Sequence, residues 1–177
     1  MSLNATRAPL LLSDGTPLRV RAIRPSDKEA LAREFARLSP ESRRRRFFAP
    51  KRELSEADLR RLTEIDHHSH EALVAIEVES GRGIAVARYA ADAGRGEFAI
   101  TVADDWQGRG VGSALARRLL MRAREEGFTV LEATALVDNH AALALLRRLG
   151  FRVCSLGGGT VDLRLEFEPG VDWAAAA

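Results

Sequence analysis

Gln107-Gly108-Arg109-Gly110-Val111-Gly112-Ser113 decides the fold, because it joins a strand-like run to a helix-like one in the manner of an anion-binding loop. Upstream, residues 98–102 are a β-type run. Downstream, Leu115, Leu119 and Ala123 keep 3.6-residue spacing in a helix expected over 110–126. Glycines at alternating positions let the backbone approach a ligand closely. The helix start adds unpaired N–H donors with the positive end of the dipole behind them, which suits a phosphate or pyrophosphate. Each such electrostatic contribution is modest, ~0.3–1 kcal/mol when exposed and up to ~2 when partly buried, and several donors on one diphosphate add up. Two better-known phosphate loops fail on spacing. A P-loop needs a lysine followed by Ser or Thr after its second glycine. The dinucleotide fingerprint G-x-G-x-x-G comes early in a βαβ unit, whereas these glycines run 108, 110, 112 after at least five strands. A bare strand-to-helix turn rarely needs three glycines.

Working outward, the turn tetrad Ser13-Asp14-Gly15-Thr16 separates apolar or alternating runs at 9–12 and 18–23, which read as a hairpin. Helices follow from Pro25-Ser26-Asp27 to Leu38, over 41–48, and from Ser55 to Leu62; Asp58 makes an imperfect capping pair with Ser55. Runs at 72–78, 84–89 and 98–102 read as three antiparallel strands. After the glycine loop come a helix, a strand at 130–134, a helix at 139–149, and strands at 151–155 and 160–167. The class is therefore mixed α/β in one domain over 1–177, with an ordered core of about 16–168 and a frayed tail at 169–177.

The 177 residues carry 27 basic and 25 acidic side chains, a formal charge of +2 and 46% apolar residues, as expected for one globular domain. Lys28 and Lys51 are the only lysines, so the other 25 positive charges are arginine. With net charge near zero, attraction to nucleic acid or an anionic membrane would need a local patch. Arg43-Arg44-Arg45-Arg46 is the obvious candidate, but four consecutive helical positions spread ~300° around the axis and make no single basic face. No interleaved aromatic residues offer stacking, so no nucleic-acid partner is expected. No apolar run approaches the ~20 residues of a membrane span. The lone Cys154 and the absence of a leader-like start point to the cytoplasm. Cys154 itself is expected to be a small buried residue of an apolar strand.

The loop and its surroundings resemble the Q/R-x-x-G-x-G/A pyrophosphate loop of the GNAT acetyltransferase superfamily. A second segment, Asn139, Ala142, Leu145 and Arg148-Leu149-Gly150-Phe151, is similar to that superfamily's N-x-x-A…LGF helix and strand. The resemblance implies a GNAT fold: a central, mostly antiparallel mixed sheet of about seven strands, splayed at the cofactor site and flanked by helices. It implies acetyl-CoA, or another short acyl-CoA, bound by the loop Gln107, Gly108, Arg109, Gly110, Val111, Gly112 and Ser113, with its pyrophosphate on the N–H groups from Arg109 to Ser113. Its pantetheine would lie along the strand ending at Val102, pairing as an added strand does. Asn139 falls at the family's polar contact to the cofactor.

Direct acetyl transfer requires a neutral amine, and an alkylamine has a pKa of ~10.4, so a base must take its proton near pH 7. In Gly96-Glu97-Phe98-Ala99-Ile100-Thr101-Val102, alternation puts Glu97, Ala99 and Thr101 on one face. A glutamate there resembles the general base of the Pat-type bacterial protein lysine acetyltransferases, a branch of the superfamily. The strings Ile23-Arg24-Pro25, Leu38-Ser39-Pro40-Glu41-Ser42-Arg43, Arg46-Phe47-Phe48, Leu62-Thr63-Glu64-Ile65-Asp66 and Val102-Ala103-Asp104-Asp105-Trp106 look like the same branch. An exposed edge-strand carboxylate is the plain alternative for Glu97, and Glu64, Asp66 and Glu132 are fallback bases. Many superfamily members place a tyrosine where this chain has Leu146, and its only tyrosine, Tyr89, lies elsewhere. A thiolate of pKa ~8.5 leaves without a strong acid, so activity does not require that tyrosine.

His67, His68 and His70 form a cluster near Glu64, Asp66 and Glu71, but their spacing fits no zinc motif, and no metal is expected. A solvated turn is the default reading, and pocket lining is the alternative. The sequence thus points to an acetyl-CoA-dependent N-acetyltransferase acting on a protein lysine, such as one in an acyl-CoA synthetase. A small-molecule amine acceptor and a non-catalytic CoA-binding sensor are the competing readings.

Overall fold

The computed structural model describes residues 9–92 and 95–167; the tail expected to fray at 169–177 lies outside them. Among the described residues one eight-stranded sheet runs in the order β1-β2-β3-β4-β5-β6-β8-β7. Its strands are β1 (Leu10–Leu11), β2 (Pro17–Ala22), β3 (His70–Glu77), β4 (Gly83–Asp92), β5 (Arg95–Val102), β6 (Val130–Leu136), β7 (Arg152–Gly157) and β8 (Thr160–Glu166). The α-helices are α1 (Lys28–Arg37), α2 (Pro40–Phe47), α3 (Glu56–Thr63), α4 (Val111–Glu125) and α5 (His140–Arg148). Every pairing is antiparallel except β5 with β6.

Local chemistry explains the helix starts. Ser39 accepts from the Ser42 N–H with Pro40 at the first helical position, a combination that both caps and pre-organises α2. Ser55 and Asp58 form a reciprocal capping box at α3 despite the shorter aspartate. The main core packs the inward positions of the strands against α4 and α5. On the opposite face Ile23, Ala72, Val74 and Ile76 bury themselves with Leu31 of α1 and Val86. β3, covered on both faces, reads as an unbroken apolar run for that reason.

One expectation fails. Cys154 is exposed, not buried, because β7 is the outermost strand and all six of its residues face solvent. Among the described residues no helix is long and apolar enough to cross a membrane.

β5 and β6 meet over only two register pairs, Gly96 with Leu131 and Glu97 with Glu132, and then part. On either side the ladders continue: β4 pairs β5 out to Val102, and β6 pairs β8 along its whole length. The junction depends on Gly96. A Cβ there would lie 2.3 Å from Leu131 Cδ2 and 3.0 Å from Phe128 Cε1, and Leu131 is wholly buried. Phe128 in turn packs on Tyr89 with ring centroids 4.8 Å apart. Gly96→Ala is expected to cost about 1–3 kcal/mol by overpacking, read as a lower urea midpoint with an unchanged slope.

Candidate active site

Where β5 and β6 separate, a cleft of about 760 Å³ opens between the loop after β5 and the start of α5. Ile100, Thr101, Val102, Gly112, Asn139 and Leu145 are among the residues lining it. The N–H and C=O groups of residues 98–102 that point toward β6 have no strand partner, so they present an open edge to this cleft. Ala114 is the first loop or helix residue to close an intrahelical bond, to the Gly110 carbonyl. The N–H groups of Val111, Gly112 and Ser113 therefore stand ahead of the ladder at the positive end of α4. Gly108 (φ +75°) and Gly110 (φ +85°) hold left-handed conformations that the turn requires. Gly112 does not, and a Cβ on it would project to within 3.5 Å of Val102 and Leu145, onto the cleft wall. An anion with an extended, hydrogen-bonding tail matches this donor set.

The loop is braced from both sides. Asp104 accepts from the Ser39 N–H at 2.7 Å and from the hydroxyls of Ser39 and Ser42, which ties α2 to the turn after β5. Those bonds hold its carboxyl below the usual range against the opposing effect of burial. The Gln107 side chain donates to the Val102 carbonyl at 3.2 Å. The Arg109 guanidinium stacks 4.0 Å over the Trp106 ring and donates to Asp14 at 2.8 Å and Thr16 at 3.1 Å. The Arg109 and Thr16 hydrogen bonds pull Asp14 down to about 2. Arg109 thus fastens the loop to the β1–β2 turn, and Val111 turns its side chain into the core. The side chains of both are thus spent on the fold. Asn139 caps α5, its Oδ1 accepting the Ala142 N–H at 3.2 Å, which leaves its NH₂ group as a donor for a ligand.

A smaller cavity of about 60 Å³ continues the splay and brings Glu97 together with Ala99, Thr134, Asn139 and Leu146. β5 is a central strand, so Glu97 is not an edge residue; it is exposed into the gap. The fallback carboxylates are engaged elsewhere. Glu64 accepts from Lys28 at 2.6 Å. Asp66 caps the turn before β3 through the N–H groups of His68 and His70. Glu132, opposite Glu97 in register, lies 3.6 Å from Arg95. Tyr89 is buried beneath α4 with its hydroxyl unpartnered, and it lines neither the cleft nor the smaller cavity.

The four arginines of α2 do four different things. Arg43 donates to the carbonyls of Ala36, Leu38 and Arg52. Arg44 joins Glu41 to Asp138 of the β6–α5 turn, and Arg45 returns to Glu41. Arg45 and Arg46 both line the cleft and the smaller cavity beside Glu97, and of the four only Arg46 also lines the pocket that holds Arg88. The histidines divide as well. His67 pairs with Glu71 and His68 with Glu126 on the α4 side, whereas His70 lies on the Glu97 side, 3.3 Å from Arg88. Neither the Arg109 clamp nor the position of Arg88 has a signal in the one-dimensional sequence.

The model of the acetyltransferase (GNAT) family matches residues 32–151. A Pseudomonas aeruginosa protein named acetyltransferase PA5475 is 38% identical over 144 residues, 79% of this chain and 77% of that protein. Acetyltransferase Pat of Mycolicibacterium smegmatis is 34% identical over 148 residues, 82% of this chain but only 44% of that protein, so the chain spans less than half of that relative. The crystal structure of the GNAT domain of Streptomyces lividans PAT superposes with a TM-score of 0.87 at 32% identity, covering 94% of this chain and 100% of that one.

Burial, and then the Arg88 charge, push His70 from its ordinary 6.5 down to about 4. Between those values the unfolded chain takes up a proton that the folded one refuses, so stability falls as pH drops from 6.5 toward 4. His70→Gln is expected to flatten the slope of unfolding free energy against pH in that window, measured by urea titrations at half-unit steps.

Proposed function

Because the chain belongs to the acetyltransferase (GNAT) family, we propose that it is an acyl-CoA-dependent N-acetyltransferase using acetyl-CoA, or another short acyl-CoA, and acting on a protein lysine. The observation that carries this reading is the two-residue contact of β5 with β6, which leaves an open strand edge leading to the N–H groups of the 108–113 loop. Pyrophosphate oxygens accept from those N–H groups, and the amide-bearing pantetheine arm pairs with residues 98–102 as an added strand would. That path delivers the thioester to the narrow end of the splay, where Glu97 stands.

The acceptor enters as an ammonium group. Glu97 takes one of its protons, the nitrogen lone pair attacks the thioester carbonyl, and the C–N bond forms as the C–S bond breaks. The thiolate, with a pKa of ~8.5 by the cysteine reference, departs and takes up, through solvent, the second proton that the new amide nitrogen sheds; Glu97 returns its own to water. With Leu146 at the position of an acid, no side chain is assigned to protonate the leaving group. The protein lysine acceptor is supported by the likeness to the Pat proteins over most of this chain. The free thiol of Cys154 suits the reducing cytoplasm, where we place the enzyme. The chain's own lysines are poor acceptors, Lys28 being paired with Glu64 and Lys51 with Asp58 at 2.8 Å.

Glu97→Gln is expected to lower kcat/KM about 10²–10⁴-fold at pH 7, with acetyl-CoA affinity kept and activity recovering as pH rises toward the amine pKa. Equal rates for variant and wild type across pH would refute Glu97 as the base. Gly112→Val should weaken acetyl-CoA binding at least tenfold by calorimetry while the melting curve stays cooperative. Intact-mass analysis of a reaction with an acyl-CoA synthetase should find the acetyl groups on the partner, not on this chain.

A further inference from the structure

Arg88 is 7% exposed, yet among the described residues it makes no ion pair. It stands on β4 between Ala72 of β3 and Ala99 of β5, on the same face as Glu97. Nη2 donates to the Leu62 carbonyl at 3.1 Å and Nη1 meets His70 Nε2 at 3.3 Å, both neutral partners. Arg46 reaches the same pocket from α2. It is half-buried, packs on the Phe47 ring at 5.0 Å and likewise makes no ion pair among the described residues. The pocket they share is otherwise largely apolar, and its carboxylate, Glu34, is spent on Arg82 at 2.7 Å and Arg37 at 3.0 Å. Burial, with the Arg46 and Arg61 charges, pulls Arg88 down to about 9. The Arg46 guanidinium is also lowered by burial, in part offset by the Glu97 charge.

A buried guanidinium is ordinarily paired, because an uncompensated charge costs several kcal/mol. Here two of them line one pocket, and neither makes an ion pair among the described residues. A guanidinium fork matches a carboxylate in plane and spacing. Glu97 is not that anion in the fold itself: it faces Ala90, two residues along β5 from Ala99, the residue opposite Arg88. On one sheet face, therefore, a base and a cationic pocket lie at neighbouring cross-strand positions, within the reach of one small molecule or of two adjacent side chains.

Resting on the N-acetyltransferase reading above, we propose that the acceptor carries a carboxylate close to its reacting amine. The carboxylate seats on Arg46 and Arg88 while the amine faces Glu97. The carboxylate comes either from an acidic side chain beside a target lysine or from a free amino acid; the chemistry at the arginines is the same.

The first test needs no turnover. Glutarate is titrated into the wild type while the His70 ring resonance and the melting temperature are followed. Saturable movement of the resonance and a rise in melting temperature are expected, both reduced at least tenfold in apparent affinity by Arg46→Gln, a change at a half-buried position that removes no ion pair among the described residues. Arg88→Lys, which keeps the charge and loses the fork, should weaken glutarate similarly. No saturable response in the wild type overturns the anion site whatever the enzyme does.

The second test compares paired acceptors: lysine peptides with Glu or Gln beside the lysine, and free amino acids with their amides. The carboxylate member is expected to be favoured at least tenfold in kcat/KM, and Arg46→Gln should bring that ratio close to one. The pair that shows the ratio identifies the source of the carboxylate. Equal use of both members overturns the proposal. Glutarate binding with no transfer to any amine overturns the acetyltransferase reading, and with it the assignment of this pocket to an acceptor.

Discussion

The two-residue contact between β5 and β6 is the constraint on which the remaining architecture turns. A parallel pair requires a crossover, and α4 supplies it, so the helix begins where β5 ends and its N-terminus points at the gap. Had the strands stayed paired to Val102, residues 98–102 would be satisfied within the sheet and nothing would lie open beside the loop. Had they not met at all, Glu97 would not stand at the closed end of the gap. Gly96 sets this limit, because only a residue without a Cβ lets β5 approach Leu131 beneath Phe128. A sheet defect and a ligand path are here one feature.

An opened sheet sacrifices ladder bonds, and the polar network around α2 replaces part of what is lost. Asp104 takes three hydrogen bonds from Ser39 and Ser42, Arg44 reaches across to Asp138, and Arg109 locks the loop to Asp14 and Thr16. These are charge-assisted bonds to short side chains or to guanidinium forks, which restrict geometry more than exposed lysine pairs do. The result is a loop whose N–H groups are fixed before a ligand arrives, so less ordering entropy remains to oppose binding.

The fold was legible from the sequence because its signals are local: glycine spacing at 108–112, the period change at residue 72, and the capping pair at Ser55 and Asp58. Glu97 was legible by alternation, although its freedom from an ion pair depends on Glu132 turning to Arg95, a contact between strands. Cys154 was misread because an apolar-looking run does not reveal that its strand is the last in the sheet. Strand order is nonlocal. For the same reason Arg88 reads in sequence as the polar break in an apolar strand and in the fold as a buried cation facing His70. The spacing of the arginine run 43–46 argues against a single basic face, but nothing in four identical letters distinguishes the guanidinium that reaches the Arg88 pocket from the other three.

The imbalance of 25 arginines to two lysines gains a physical meaning in this setting. Guanidinium groups do not act as amine nucleophiles, whereas a lysine near an acyl donor is itself an acceptor. The cations that brace the loop and its neighbours, Arg44 and Arg109, are arginines, so acetyl transfer cannot consume the charges that hold them in place. Forked donors also bind carboxylates in a defined plane, which a rotating ammonium cannot. Arginine in place of lysine therefore keeps the framework inert to acetyl transfer, and on the proposal of a carboxylate-bearing acceptor it would also give the pocket beside Glu97 its preference for a planar anion.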